Sequence, residues 1–207
     1  AEDNAVQATK AAEAVQNVDK TATQQAVRVA DQLATTGSLC TLVGKAGDTA
    51  SCSVKLAAGA NGAVARALQG TLNYDASGAK FNGFFDEFCP SAGNCVEKEI
   101  NASSPALSAT GHTLSMSPKA SAEWNGKGSF LLANLTNPTQ ALTEARVGSD
   151  AANKGIFTAK FTLARDASAS SPVVVDLSGV VAADEAANEI RTSVANSTIV
   201  TGEAIQR

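Results

Sequence analysis

The residues best equipped for chemistry in this 207-residue chain are four cysteines, one histidine and two adjacent acidic pairs. Cys40 and Cys52 lie twelve apart, and Cys89 and Cys95 enclose the short stretch Pro90-Ser91-Ala92-Gly93-Asn94. Neither pair has the CxxC spacing of zinc or dithiol redox sites, and no histidine stands close by. Four cysteines allow three pairings, but local pairing closes the smallest loops and requires no distant geometry. The expectation is two disulfides, Cys40–Cys52 and Cys89–Cys95, and with them a secreted, periplasmic or cell-surface setting. The alternative is four buried thiols in a cytosolic chain.

His112 stands in Thr110-Gly111-His112-Thr113, a turn before a strand. A catalytic imidazole needs a carboxylate to orient it and a nucleophile beside it, and no recognisable motif supplies either. It is therefore expected to be a solvent-facing loop residue. Asp86-Glu87 and Asp184-Glu185 could give oxygens to calcium, and the first pair could serve as a general acid. No DxDxDG loop accompanies them, so they are read as solvated acids, the first at a strand end with its aromatic neighbours inward. No cofactor is expected, with calcium left open. Asn101-Ala102-Ser103, Asn134-Leu135-Thr136 and Asn196-Ser197-Thr198 match the N-glycosylation acceptor pattern, which arises readily by chance in so polar a chain. Neither a P-loop nor a dinucleotide fingerprint is present. The chain is expected not to be an enzyme.

The elements that must position these residues follow from composition and period. The chain suits one domain, or one domain with an appendage. Its 44% apolar content is inflated by 41 alanines, so the core is modest. A net charge of −4 and the lack of a basic stripe argue against nucleic acid. No stretch approaches 18 apolar residues, so no transmembrane span is expected. The chain begins at Ala1 without a signal peptide, as a processed or truncated chain does.

Residues 5–34 contain no Gly or Pro and are rich in helix formers. They predict a long helix with a thin apolar stripe of Val15, Val18, Ala22, Val29 and Leu33. That makes residues 1–37 a helical spacer or anchor segment. From residue 38 the pattern turns to short alternating runs between Gly, Asn, Asp, Ser and Pro clusters. Strands are predicted at 38–44, 49–57, 64–75, 78–88, 96–102, 113–122, 127–135, 155–165, 172–181 and 191–201. One buried face and one wet face is the pattern of an antiparallel β-sandwich. If the first two strands pair symmetrically about Ala46, Cys40 falls opposite Cys52.

Several of these segments resemble the cohesin family in order and spacing. Gly44-Lys45-Ala46-Gly47-Asp48-Thr49 is similar to its "G-x-x-G-D-T" turn. Gly70-Thr71-Leu72-Asn73-Tyr74-Asp75, followed by Ala79-Lys80-Phe81-Asn82-Gly83-Phe84, is similar to its "L-x-Y-D-x-x-x-L-x-F" strand pair. Gly155-Ile156-Phe157-Thr158-Ala159-Lys160-Phe161-Thr162-Leu163 is similar to the "G-x-F-A-x-I-x-F" strand. Asn188-Glu189-Ile190, with Val194-Ala195-Asn196-Ser197-Thr198-Ile199-Val200, resembles the family's closing "N-E-I…V-x-N-G-x-I-x-V". The resemblance spans about 40–201 and leaves out the N-terminal segment and both cysteine pairs. It implies a nine-stranded antiparallel jelly-roll sandwich over 38–207, and a non-catalytic extracellular module that binds a dockerin-like or other surface protein. The outward Asn and Asp of dockerin-binding cohesins fall on Ala67 and Gln69 here, so that polar signature is absent.

In the strand at 64–75, Leu68, Gly70, Leu72 and Tyr74 take one parity, leaving Ala67, Gln69 and Thr71 outward. By the resemblance, these three mark the partner-binding face. Two other readings stay open. A carbohydrate-binding module would bind a polysaccharide through exposed aromatics, for which Tyr74 and Trp124 are available. A pilin-like subunit would use the N-terminal helix.

Overall fold

The computed structural model describes residues 37–91, 94–107, 110–142 and 155–205. The predicted N-terminal helix and most of the spacer lie outside them. The described chain is almost entirely β: β1 (Gly37–Leu42), β2 (Thr49–Ala58), β3 (Ala67–Tyr74), β4 (Ala79–Ser91), β5 (Asn94–Ile100), β6 (Thr113–Ser117), β7 (Lys127–Ala133), β8 (Gly155–Leu163), β9 (Val173–Ala183), β10 (Glu189–Ala195) and β11 (Thr198–Ala204). Among the described residues no helix is long and apolar enough to cross a membrane.

The ladders run β5-β4-β8-β2-β11-β10-β9-β3-β7-β6, with β1 added on β9. All are antiparallel except β2 with β11, which is parallel. Ring contacts show how this path folds into a sandwich. Phe84 of β4 meets Phe130 of β7 at 5.6 Å, and Phe161 of β8 meets Tyr74 of β3 at 5.2 Å. The layer containing β4 and β8 therefore lies face to face with the layer containing β3 and β7. Edge-to-face rings of this kind add attraction beyond the area they bury. Trp124 closes one end of the core, stacked on Phe81 at 4.3 Å, and its indole N–H donates to the Pro118 carbonyl at 2.9 Å.

Two expectations are corrected here. Eleven strands are described where nine were expected. The run read as one strand at 191–201 is two, β10 and β11, joined at Asn196 and Ser197, whose φ values are +50° and +67°. Left-handed geometry at both central residues makes a tight hairpin turn, and an asparagine is among the residues that tolerate it. The hairpin about Ala46 does not form. β1 pairs with β9, and β2 pairs with β8 and β11. The Gly44–Asp48 loop instead bonds to the end of β8, through Gly47 N to Leu163 O, and to the β8–β9 connection, through Gly44 N to Ala167 O.

The Cys40–Cys52 disulfide is nonetheless present, with Cα atoms 6.0 Å apart. It ties two strands that share no ladder. The Cys89–Cys95 bond rests on side chains outside those described. Their backbones run along the β4–β5 hairpin, whose register holds Phe88 opposite Val96 and Ser91 opposite Asn94.

Candidate partner-binding face

β3 is the middle of the face, because it pairs along most of its length with β7 on one side and β9 on the other. Its burial alternates as period two requires: Leu68, Gly70, Leu72 and Tyr74 are buried, while Ala67, Gln69, Thr71 and Asn73 face outward. Gly70 holds an inward position because a Cβ there would crowd the Phe130 ring at 3.1 Å.

Register extends the three predicted residues into rows. Ala67 lies between Ala133 and Ala183, Gln69 between Leu131 and Val181, and Thr71 between Ser129 and Ser178. β6 continues the rows with Thr113, Ser115 and Ser117. None of these side chains is charged. Charges border these rows: Lys127 and Asp176 flank Asn73, and Glu189 of β10 stands opposite Ala183.

The polar groups are partly spent on one another. The Thr71 and Ser129 hydroxyls are 2.8 Å apart, and the Asn73 amide donates to the Ser178 hydroxyl at 2.8 Å. Gly179, at φ +58°, forms a bulge on β9 with open space where a Cβ would stand. Beside it lies a shallow depression of about 280 Å³, whose walls include Gln69, Thr71, Ser115, Ser117, Ser129 and Leu131. Leu131 is 42% exposed. Only β3 was singled out from sequence. The β6 and β7 residues become neighbours through long-range pairing, which no local pattern encodes.

The other candidate residues scatter. His112 is fully buried, which corrects the solvent-facing expectation. It shares the inward parity of Leu114, and its backbone carbonyl accepts from Leu107 N, which folds the preceding loop over it. The ring lies 2.7 Å from the Arg66 carbonyl through Nε2 and 2.7 Å from the Thr110 hydroxyl through Nδ1. A carbonyl only accepts, so Nε2 carries the proton and Nδ1 accepts from Thr110. Burial pushes the His112 pKa below its ordinary value, an effect that hydrogen bonding at Arg66 and Thr110 opposes.

Asp86 also departs from expectation, being 4% exposed rather than in water. It shares the inward parity of Phe84, opposite Lys98 in the β4–β5 ladder. Asp184 organises the β9–β10 turn, accepting from the backbone N–H groups of Ala186 and Asn188 and from the Asn188 side-chain amide. The Asn188 amide is the main cause of its lowered pKa. Among the described residues no three potential metal ligands cluster.

Tyr74 and Trp124 are 8% and 5% exposed, and the Tyr74 hydroxyl donates to the Trp124 carbonyl. Both aromatics proposed for sugar stacking are therefore core residues. Asn134 is 9% exposed, its side-chain oxygen accepting from the backbone N–H groups of Thr136 and Asn137 and its NH2 donating to Thr110 O. Asn101 caps its own turn in the same way. Asn196 is exposed on the β10–β11 turn.

No protein-family model and no curated protein matches the sequence. Among solved structures, the chain is similar to the sixth cohesin from Acetivibrio cellulolyticus' scaffoldin B in complex with a mutant Cel5 dockerin. The match has 17% identity and a TM-score of 0.45, covering 79% of this chain and 94% of that one. It is also similar to a CaDoc0917–CaCohA2 complex, at 14% identity and a TM-score of 0.44, covering 78% of this chain and 94% of that one. The first of these is a member of the family that the sequence motifs resemble.

Proposed function

We propose that residues 38–207 form a non-catalytic, extracellular or cell-surface protein-binding module of cohesin-like, jelly-roll type. Its protein partner, dockerin-like or another surface protein, seats on the outer face of β9, β3, β7 and β6, centred on Ala67, Gln69 and Thr71. The observation that carries this reading is the set of three uncharged outward rows, through Ala67, Gln69 and Thr71, that run across four paired strands. Protein interfaces need about 800 Å² from each partner, and their centres are depleted of charge. The depression beside Gly179 holds about 280 Å³, just under the ~300–1,000 Å³ of small-molecule pockets. A flat macromolecular contact suits it better than a small ligand. The Cys40–Cys52 bond supports an oxidising compartment. The ordered cohesin-like motifs support the module type. The polysaccharide reading loses its stacking platform, since Tyr74 and Trp124 are buried.

The test is capture from the secreted fraction of the producing organism, comparing the wild type with Thr71→Arg and Ala67→Arg. Either substitution places a long cation in a row of small neutral side chains without entering the core. Partner recovery is expected to fall at least tenfold, with circular dichroism unchanged. Binding by the wild type is expected to weaken only slightly with salt, because few charges are neutralised. A partner that binds both variants at full strength moves the site off this face.

A further inference from the structure

We propose that Asn125 is a site of spontaneous backbone modification, converting to a mixture of aspartate and isoaspartate in the folded protein. Three Asn-Gly pairs occur among the described residues: Asn61-Gly62, Asn82-Gly83 and Asn125-Gly126. In each, the glycine's backbone nitrogen can attack the asparagine side-chain carbonyl carbon. A new C–N bond forms and closes a succinimide, and the side-chain nitrogen leaves as ammonia. Water then opens either carbonyl of the ring, giving aspartate or isoaspartate, so the net change is loss of ammonia and gain of water. Glycine makes the attack easy because no Cβ shields its nitrogen.

The fold separates the three sites. The Gly62 nitrogen already donates to the Gly59 carbonyl at 2.9 Å, which holds it away from Asn61. Asn82 lies within β4, and its amide donates to the Thr162 hydroxyl at 2.8 Å. Asn125 is exposed, in the turn between Trp124 and β7. Among the described residues no acceptor takes the Gly126 N–H, and no hydrogen bond fixes the Asn125 side chain. Of the three it alone combines an unheld amide with an unheld nucleophile. Asn196-Ser197 is also exposed, but the serine Cβ stands beside the attacking nitrogen and slows it.

The position gives the change a consequence. Gly126 O accepts the Tyr74 N–H at 2.8 Å, at the end of β3. Isoaspartate lengthens the main chain by one carbon at this turn. It also adds a carboxylate beside Lys127, at the border of the uncharged face. An isoaspartyl carboxyl methyltransferase would recognise the product.

The experiment is timed incubation of the folded, disulfide-intact protein in mildly alkaline buffer. Peptide mapping would follow the small mass gain of NH2-to-OH exchange, and enzymatic methyl transfer would report isoaspartate. Asn125 is expected to convert several-fold faster than Asn61, Asn82 or Asn196, and Asn125→Gln to remove most of the methyl-accepting signal. In the urea-denatured chain the three Asn-Gly pairs are expected to convert at similar rates, which separates the fold's contribution from the dipeptide's. Equal rates in the folded protein, or an intact Asn125 beside a converting Asn61, would overturn the proposal.

Discussion

At the scale of single residues, much of the specificity lies in side chains that are missing. Gly128 is the sharpest case, since a Cβ there would overlap the Trp124 ring. Gly128→Ala must push the indole off Phe81 or bend β7. A loss of roughly 1–3 kcal/mol is expected, the usual cost of overpacking. Trp124 is the only tryptophan, so its emission should shift to the red. Unchanged emission and stability would show that the core end is softer than its contacts indicate.

His112 carries a second expectation. Its pKa is lowered by burial, so between that value and the unfolded value of about 6.5 the unfolded chain binds more protons. Its contribution is fully present above about pH 6.5 and is lost as pH falls through the folded pKa. Urea midpoints measured down through this range should decline, and His112→Gln should flatten that decline. A parallel decline in both proteins would assign the acid sensitivity to carboxylates instead.

At the scale of elements, strands were legible wherever one face is buried and the other wet. β3 follows its predicted parity because Leu68 and Leu72 alternate with Gln69, Thr71 and Asn73, and in β8 Phe157, Phe161 and Leu163 likewise alternate with Thr158, Lys160 and Thr162. The same rule, carried one step further, would have placed His112 inward with Leu114, and Asp86 inward with Phe84. At both positions polarity points outward while period points inward, and the buried hydrogen bonds that make such placement tolerable cannot be seen locally. Pairing was less legible than parity. The hairpin about Ala46 was plausible by loop length alone, yet Leu39 and Leu42 are buried with β1 laid against β9.

That correction changes what the Cys40–Cys52 bond does. With no ladder between β1 and β2, the covalent link replaces hydrogen bonds instead of duplicating them. Cys40→Ser combined with Cys52→Ala is expected to cost about 2–4 kcal/mol, the usual range for a disulfide closing a loop of this size. Faster amide exchange in β1 than in β3 should accompany the loss. A double variant as stable as the parent would mean that β9 alone holds β1.

At the scale of the whole molecule, the two outer surfaces are built differently. The β4–β8 side carries Lys160, which pairs with Glu97 and stands 4.7 Å over the Phe85 ring. On the β3–β7 side, hydroxyls, small apolar groups and one exposed leucine run uninterrupted by charge from β6 to β9. This asymmetry is why the proposed partner site belongs to one face. The most direct measurement is a hydrogen-exchange footprint of the module with its captured partner, compared with the module alone. Protection is expected to concentrate in β3, β6, β7 and β9, around Ala67, Gln69 and Thr71, and to leave β4, β5 and β8 unchanged. Protection confined to β4, β5 and β8 would contradict the account.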